Sequence, residues 1–255
     1  MSVNRSSVKN NNSVYRFWSF IAGRVVLQDR NIHLMKNLIT AMLVLHIGGG
    51  TVALLSGLVA MFTKKGSSIH RLAGRIYFWS MTAVFTGALV VSIAHQNYFL
   101  LMVGFFSYYM TVRGYRILSL KSMHQGQSVA GVDYIIMFLA GLFIISLLIF
   151  GCVWLVHGQA MGAVAVTFGL IGCGFLWLDV RRFWNPPADR MHWWYGHINS
   201  MGGSYISAIT AFIVVNIQLP QFQWVLWVLP SLIGSLIIGR TIRRYRAKFS
   251  AVRVP

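Results

Sequence analysis

The chain has 255 residues, 56% hydrophobic and only 10% charged, whereas a soluble domain carries about 25% charged residues. That deficit, with the few charges confined between long apolar runs, excludes an ordinary soluble domain. The net charge of +18 comes from 22 Lys and Arg against four Asp and no Glu. In a soluble protein it would point to nucleic acid. Here the basic residues cluster at the ends of apolar runs, so the expected partners are the lipid bilayer and its anionic headgroups, not nucleic acid.

Residues 1–36 read as a basic N-terminal tail with an Asn run at Asn10 to Asn12. No apolar signal-peptide core follows the start. Tyr15, Phe17, Trp18, Phe20 and Ile21 sit among Arg16 and Arg24, in a stretch too short to span a membrane. It is expected to form a helix lying in the interface.

Seven apolar runs follow, at about 37–62, 72–94, 98–118, 132–156, 161–180, 193–216 and 222–240. A hydrocarbon core is crossed by ~20 apolar residues in a helix, which satisfies its own backbone in lipid. The runs do not alternate polar and apolar residues as barrel strands do. The expected fold is therefore all-α, a polytopic integral membrane helix bundle of about seven transmembrane helices occupying 37–242. Residues 243–255 form a basic cytoplasmic tail. Short loops make consecutive helices antiparallel, Pro230 is expected to kink the last span, and no fixed-period repeat is visible.

Orientation follows from Lys and Arg near span ends. Lys64, Lys65, Arg71 and Arg75 follow span one; Arg113, Arg116 and Lys121 follow span three; Arg181, Arg182 and Arg190 follow span five. Arg240, Arg243, Arg244, Arg246, Lys248 and Arg253 follow span seven, and the loops after spans two, four and six have none. This places the C-terminus in the cytoplasm, as expected for a protein of a bacterial inner membrane. Seven spans then put the N-terminal tail, with the other six basic residues, outside. Either that tail is translocated despite its charge or the span count differs by one.

No carboxylate lies in the middle of a span. Asp29, Asp133, Asp179 and Asp189 fall in tails, loops or helix ends, which weighs against a coupled ion pump. Asp179 with Arg182, and Asp133 with nearby basic loops, are expected to be interfacial ion pairs of small worth. Arg113 and Arg116 are expected to snorkel to the interface. Cys152 and Cys173 lie in apolar runs with no CxxC or CxxCH spacing and read as buried core residues.

Histidine is the remaining candidate for chemistry. His33 and His124 fall in tail or loop. By depth, His70, His192 and His197 form an inner group, and His46, His95 and His157 an outer group. His46 is ~13 Å into span one by helical rise, too far from His70 to share one iron. Three helical faces begin at these residues: His46, Gly50, Ala53 and Gly57; His70, Gly74, Tyr77 and Met81; His197, Met201, Ser204 and Ala208. Small residues at such spacing are how membrane helices approach closely. An imidazole in hydrocarbon needs a partner as well, and neutral imidazole ligates haem iron or a divalent metal. Zinc is less favoured, because His192 and His197 are five apart and no HExxH is present.

The segment from His46 to Met81 resembles the opening signature of a bacterial membrane-protein family catalogued as a domain of unknown function, number 2306. The matching residues are His46, Gly49, Gly57, Lys65, Gly66, His70, Arg71, Gly74 and Tyr77. His197, Met201, Ser204 and Tyr205 are similar to its second signature, with His192 as an alternative register. The likeness covers most of 37–240, and the basic N-terminal extension departs from it. It implies membership and no assigned activity. A looser, architectural similarity is to the two-haem transmembrane b-type cytochromes.

The first functional expectation is a protein that binds b-type haem, for redox chemistry or haem handling. His46, His70 and His197 are its candidate metal ligands, and Tyr77 and Tyr205 line the cofactor pocket. The second is a non-redox transporter or small-molecule receptor with a His- and Tyr-lined cavity. The third is a structural or assembly partner of a membrane complex. Hydrolytic enzymes come last, since no span holds a Ser-His-acid set or a metal triad. The sequence further predicts that His70 and His197 converge at the inner end of spans two and six, with Tyr77 and Tyr205 about two turns deeper.

Overall fold

The computed structural model describes residues 6–251, with side chains from His33 onward. Seven α-helices follow one another: α1 Ser6–Phe62, α2 Ser68–Ala94, α3 Tyr98–Arg116, α4 Gly131–Val156, α5 Met161–Trp184, α6 His192–Asn216 and α7 Gln223–Ala251. Two 3-10 turns, Ile117–Ser119 and Met123–Gln125, lie between α3 and α4, and no strand occurs among the described residues. Six of the helices are long and apolar enough to cross a membrane; α3 is the exception. Large apolar side chains point outward around the bundle, among them Leu55, Phe138, Ile149, Leu170, Val215 and Leu236. Such a surface suits lipid rather than water. The protein is an integral membrane helix bundle.

Local signals set the helix ends. The Ser67 hydroxyl accepts the His70 backbone N–H at the start of α2, and the Asn97 side chain accepts that of Leu100 in α3, as N-cap residues do. Asp133, in the first turn of α4, accepts the Ala130 N–H at 3.0 Å. Gly66 takes a φ of +80° in the turn after α1, a left-handed conformation natural to glycine.

Helix α3 sits at the centre and touches α2, α4, α5 and α6. Its low apolarity has a physical reason: Tyr109, Thr111 and Arg113 are buried against neighbouring helices rather than exposed to lipid. On one side of it Phe106, Met110, Ile144, Leu147, Val164 and Phe168 form the main apolar core. On the other, α1, α2, α3 and α6 close into a ring in which each helix touches the next. No close backbone approach joins α2 to α6, so these two stand diagonally across the ring. Glycines make the tightest seams. A Cβ on Gly87 would lie 2.5 Å from the Met42 carbonyl oxygen, and one on Gly172 2.7 Å from Ile144.

Several expectations need correction. The segment anticipated as a separate interfacial helix is continuous with the first span in α1, a single helix of 57 residues. The final helix runs on to Ala251, so most of the anticipated basic tail is helical. Tyr245 and Phe249 pack edge-on against Trp194 there, and Arg246 lies over the Tyr195 ring, which gives the extension a surface to fold against. Pro230 lies inside α7 without ending it. Cys152 is exposed rather than buried, because it lies on the outer face of α4.

Candidate functional site

The site lies at the basic end of the four-helix ring, where the α1–α2 turn, the end of α3 and the start of α6 meet. His70 is in the first turn of α2. Its Nδ1 lies 2.9 Å from the Ala60 carbonyl oxygen of α1. A carbonyl only accepts, so Nδ1 carries the proton and Nε2 keeps its lone pair. His197, on α6, is held the same way: its Nδ1 donates to the Gly114 carbonyl of α3 at 2.8 Å. Neither Nε2 has a hydrogen-bond partner among the described residues. Metal-bound histidines are commonly oriented in this way, by a bond from the other ring nitrogen to a carbonyl that fixes the tautomer.

The two rings face each other from the diagonal helices, with centroids 6.3 Å apart and planes at 74°. That spacing is informative. A direct N–H···N bond would bring the ring centres to roughly 5 Å. Two imidazoles bound through Nε2 to opposite sides of one metal ion, at ~2.0–2.1 Å each, hold them roughly 6–6.5 Å apart. The observed 6.3 Å falls in the second range.

Deeper in the ring, a polar layer ties all four helices. Tyr77 of α2 and Ser204 of α6 share a hydrogen bond of 2.7 Å, and Thr111 of α3 reaches the same Ser204 hydroxyl at 2.6 Å. Tyr205 donates to the Leu54 carbonyl of α1 at 3.0 Å. The Tyr77 and Tyr205 rings lie 6.2 Å apart. Gly57 admits them: a Cβ there would lie 2.5 Å from the Tyr205 ring and 3.1 Å from that of Tyr77. Ala53, one turn away, is fully buried. On the α3 side, Met201 presses on Gly114, 2.7 Å from where a Cβ would be. On the α2 side, a Cβ on Gly74 would meet nothing within 4 Å, so that wall is open.

The basic rim begins with Lys65, whose ammonium donates to the Ala60 and Met61 carbonyls at the end of α1. Burial lowers its pKa from the ordinary lysine value. Ala60 thus receives both Lys65 and His70.

The other histidines stand apart. His46 donates from Nδ1 to the Val84 carbonyl at 2.8 Å and packs on Gly87. Val84 is 14 residues beyond His70, about 21 Å along α2. His46 therefore clamps α1 to α2 and is not brought to the His70–His197 pair. His95 ends α2 and His157 ends α4, both exposed, so the outer histidines do not converge. His192 is buried beside His124, with ring centroids 6.4 Å apart. No group of three or more His, Cys, Asp or Glu able to hold a metal ion occurs among the described residues.

A second polar centre was not anticipated. Arg113 does not snorkel. It is 4% exposed, donates from Nε to Asp179 at 2.8 Å and from Nη1 to Ser200. Asp179 also accepts from Tyr109 at 2.6 Å and Arg182 at 3.1 Å, and is itself 4% exposed. It is thus a buried carboxylate between two guanidinium groups, not an interfacial pair. Asp133 is buried too and takes a two-pronged bond from Arg116, at 2.8 and 2.9 Å. The spacing of Asp179 and Arg182 was visible in the sequence. Their partner Arg113, on another helix, was not. Ser200 and Ser204, one turn apart on α6, connect this centre to the layer at Tyr77.

No protein-family model matches the chain, and no curated protein or solved structure does either.

Proposed function

We propose that this is a seven-span protein of a bacterial inner membrane that binds b-type haem between His70 and His197 at its cytoplasmic end. Membership of the family of unknown function number 2306 belongs to the same reading. The observation that carries it is the His pair: 6.3 Å between ring centres, with Nδ1 of each ring anchored on a carbonyl. His70 of α2 and His197 of α6 would hold the group from opposite sides of the ring, with α1 and α3 flanking it. The open face at Gly74 is the side on which a macrocycle could extend. Bound there, haem would supply one-electron transfer. The chain's own part is to fix both imidazoles in one tautomer, to seal the deep side with Tyr77, Ser204 and Thr111, and to place Lys65 beside the His70 anchor.

Helix α3 serves as the seventh span. Its 19 residues reach about 28 Å, close to the ~30 Å hydrocarbon core. The basic loops then face the cytoplasm, where anionic headgroups meet them.

A second reading is a non-redox receptor or transporter with the same pocket. The close contacts at Gly57 and Gly114 favour it, because they confine the space around the rings to something smaller than a macrocycle. Absorption spectra of detergent-purified protein, oxidised and reduced, separate the two. A Soret band with reduced α and β bands is expected. Protein that stays colourless after haem titration would remove the haem and leave the receptor or transporter.

A further inference from the structure

On the far side of α6, a cavity of about 220 Å³ lies between α3, α5, α6 and α7. Helices α5 and α7 meet at Phe168 and Trp227, with ring centroids 6.0 Å apart. Further toward the basic end, the cavity lies between Ile171 and Phe175 of α5 and Ser231 and Ile238 of α7. Its back wall is Phe106 and Met110 of α3. Phe175 separates it from the ion-pair centre, with the Arg113 guanidinium 5.1 Å from that ring.

Four polar side chains line this otherwise apolar space: Asn199, Ser207, Ser231 and Ser235. None makes a side-chain hydrogen bond among the described residues. Helical hydroxyls elsewhere in the bundle, such as Thr82, Ser146, Thr167 and Thr210, bond back to the carbonyl four residues earlier. Asn199, Ser207 and Ser231 are half-buried and Ser235 is exposed, so their polar groups open onto the cavity and are free to bond a ligand there. No Lys, Arg, His or Asp lines the cavity, so the ligand is neutral. The walls are aromatic and aliphatic, and Ser235 is exposed at the side of the bundle, so the ligand comes from the bilayer.

We propose that this cavity binds the head group of a membrane-soluble quinone. The ring lies against Phe106 and Phe175, its oxygens take hydrogen bonds from Asn199 and the serines, and its tail leaves beside Ser235. A cavity of 220 Å³ is below the ~300–1,000 Å³ of drug-sized sites, which limits it to a single substituted ring. The site is independent of the haem reading, since neither His70 nor His197 lines it.

The full chain in lipid nanodiscs, labelled with a photoreactive azidoquinone and competed with decylubiquinone, tests this. The label is expected on peptides containing Asn199 to Ser207 or Ser231 to Gly239, and excess decylubiquinone should suppress it. Gly239 lines the cavity, and a Cβ there meets nothing within 4 Å, so a side chain can start there freely and Gly239→Leu is expected to take up cavity space. It should cut specific labelling by about tenfold or more, and Asn199→Leu should weaken competition by about tenfold, as loss of one buried hydrogen bond does. His70→Ala should label like the parent. Labelling that resists competition, spreads over α1 and α4, or persists in Gly239→Leu would overturn the proposal and leave a cavity filled by water or lipid chains.

Discussion

Single side chains in this bundle differ in worth according to what they leave behind when removed. Ser204 accepts or donates to both Tyr77 and Thr111. Thr111 has a fallback in the Ser107 carbonyl at 3.3 Å, whereas the buried Tyr77 hydroxyl has no other hydrogen-bond partner among the described residues. Ser204→Ala should therefore destabilise the protein by ~1–3 kcal/mol, the cost of an orphaned buried polar group. Tyr77→Phe should cost less, because Ser204 keeps Thr111. Denaturant unfolding in detergent ranks the two, and the reverse order would mean the layer is wetter than its geometry implies. The same reasoning orders the carboxylates. Asp179→Asn leaves two guanidinium groups facing a weakened partner, and breaking a buried pair costs ~3–5 kcal/mol. Asp133→Asn leaves Arg116, whose side chain is 32% exposed and can turn to water. We expect the Asp179 variant to lose yield and melting temperature well beyond the Asp133 variant.

Helix faces carry much of what could be read beforehand. The spacing of Ala53 and Gly57 placed them on one buried face of α1, and that face meets Tyr77 and Tyr205. Gly57→Leu should overpack this contact by ~1–3 kcal/mol, while Gly74→Ala, with open space around its Cβ, should be near neutral. Equal melting temperatures for the two would show that the ring is not closed at Gly57. The meeting of His70 with His197 was legible because α2 and α6 run the same way and begin at one depth. Their diagonal placement was not, since adjacency of helices is settled by packing along the whole bundle. His46 was misleading for a related reason: nothing local distinguishes an imidazole that binds a ligand from one that ties a neighbouring backbone, and Val84 is 38 residues away. Arg113 and Asp179 are 66 residues apart, so position near a helix end suggested exposure where the fold supplies a partner.

The loops after α1, α3 and α5 and the end of α7 are basic, those after α2, α4 and α6 carry no Lys or Arg, and the site lies on the side of the basic loops. Reporter fusions at the C-terminus and near Lys121 should report cytoplasm, and fusions near Gln96 and Gln218 the outside. A C-terminal reporter on the outer side would invert the molecule and move the His pair to the other leaflet. The central claim is that His70 and His197 bind one metal centre together. Electron paramagnetic resonance of the haem-loaded, oxidised protein tests it most directly. We expect a low-spin ferric signal in the parent and in His46→Ala, converted to high spin or lost in both His70→Ala and His197→Ala. A low-spin signal that survives either of those last two substitutions would contradict it.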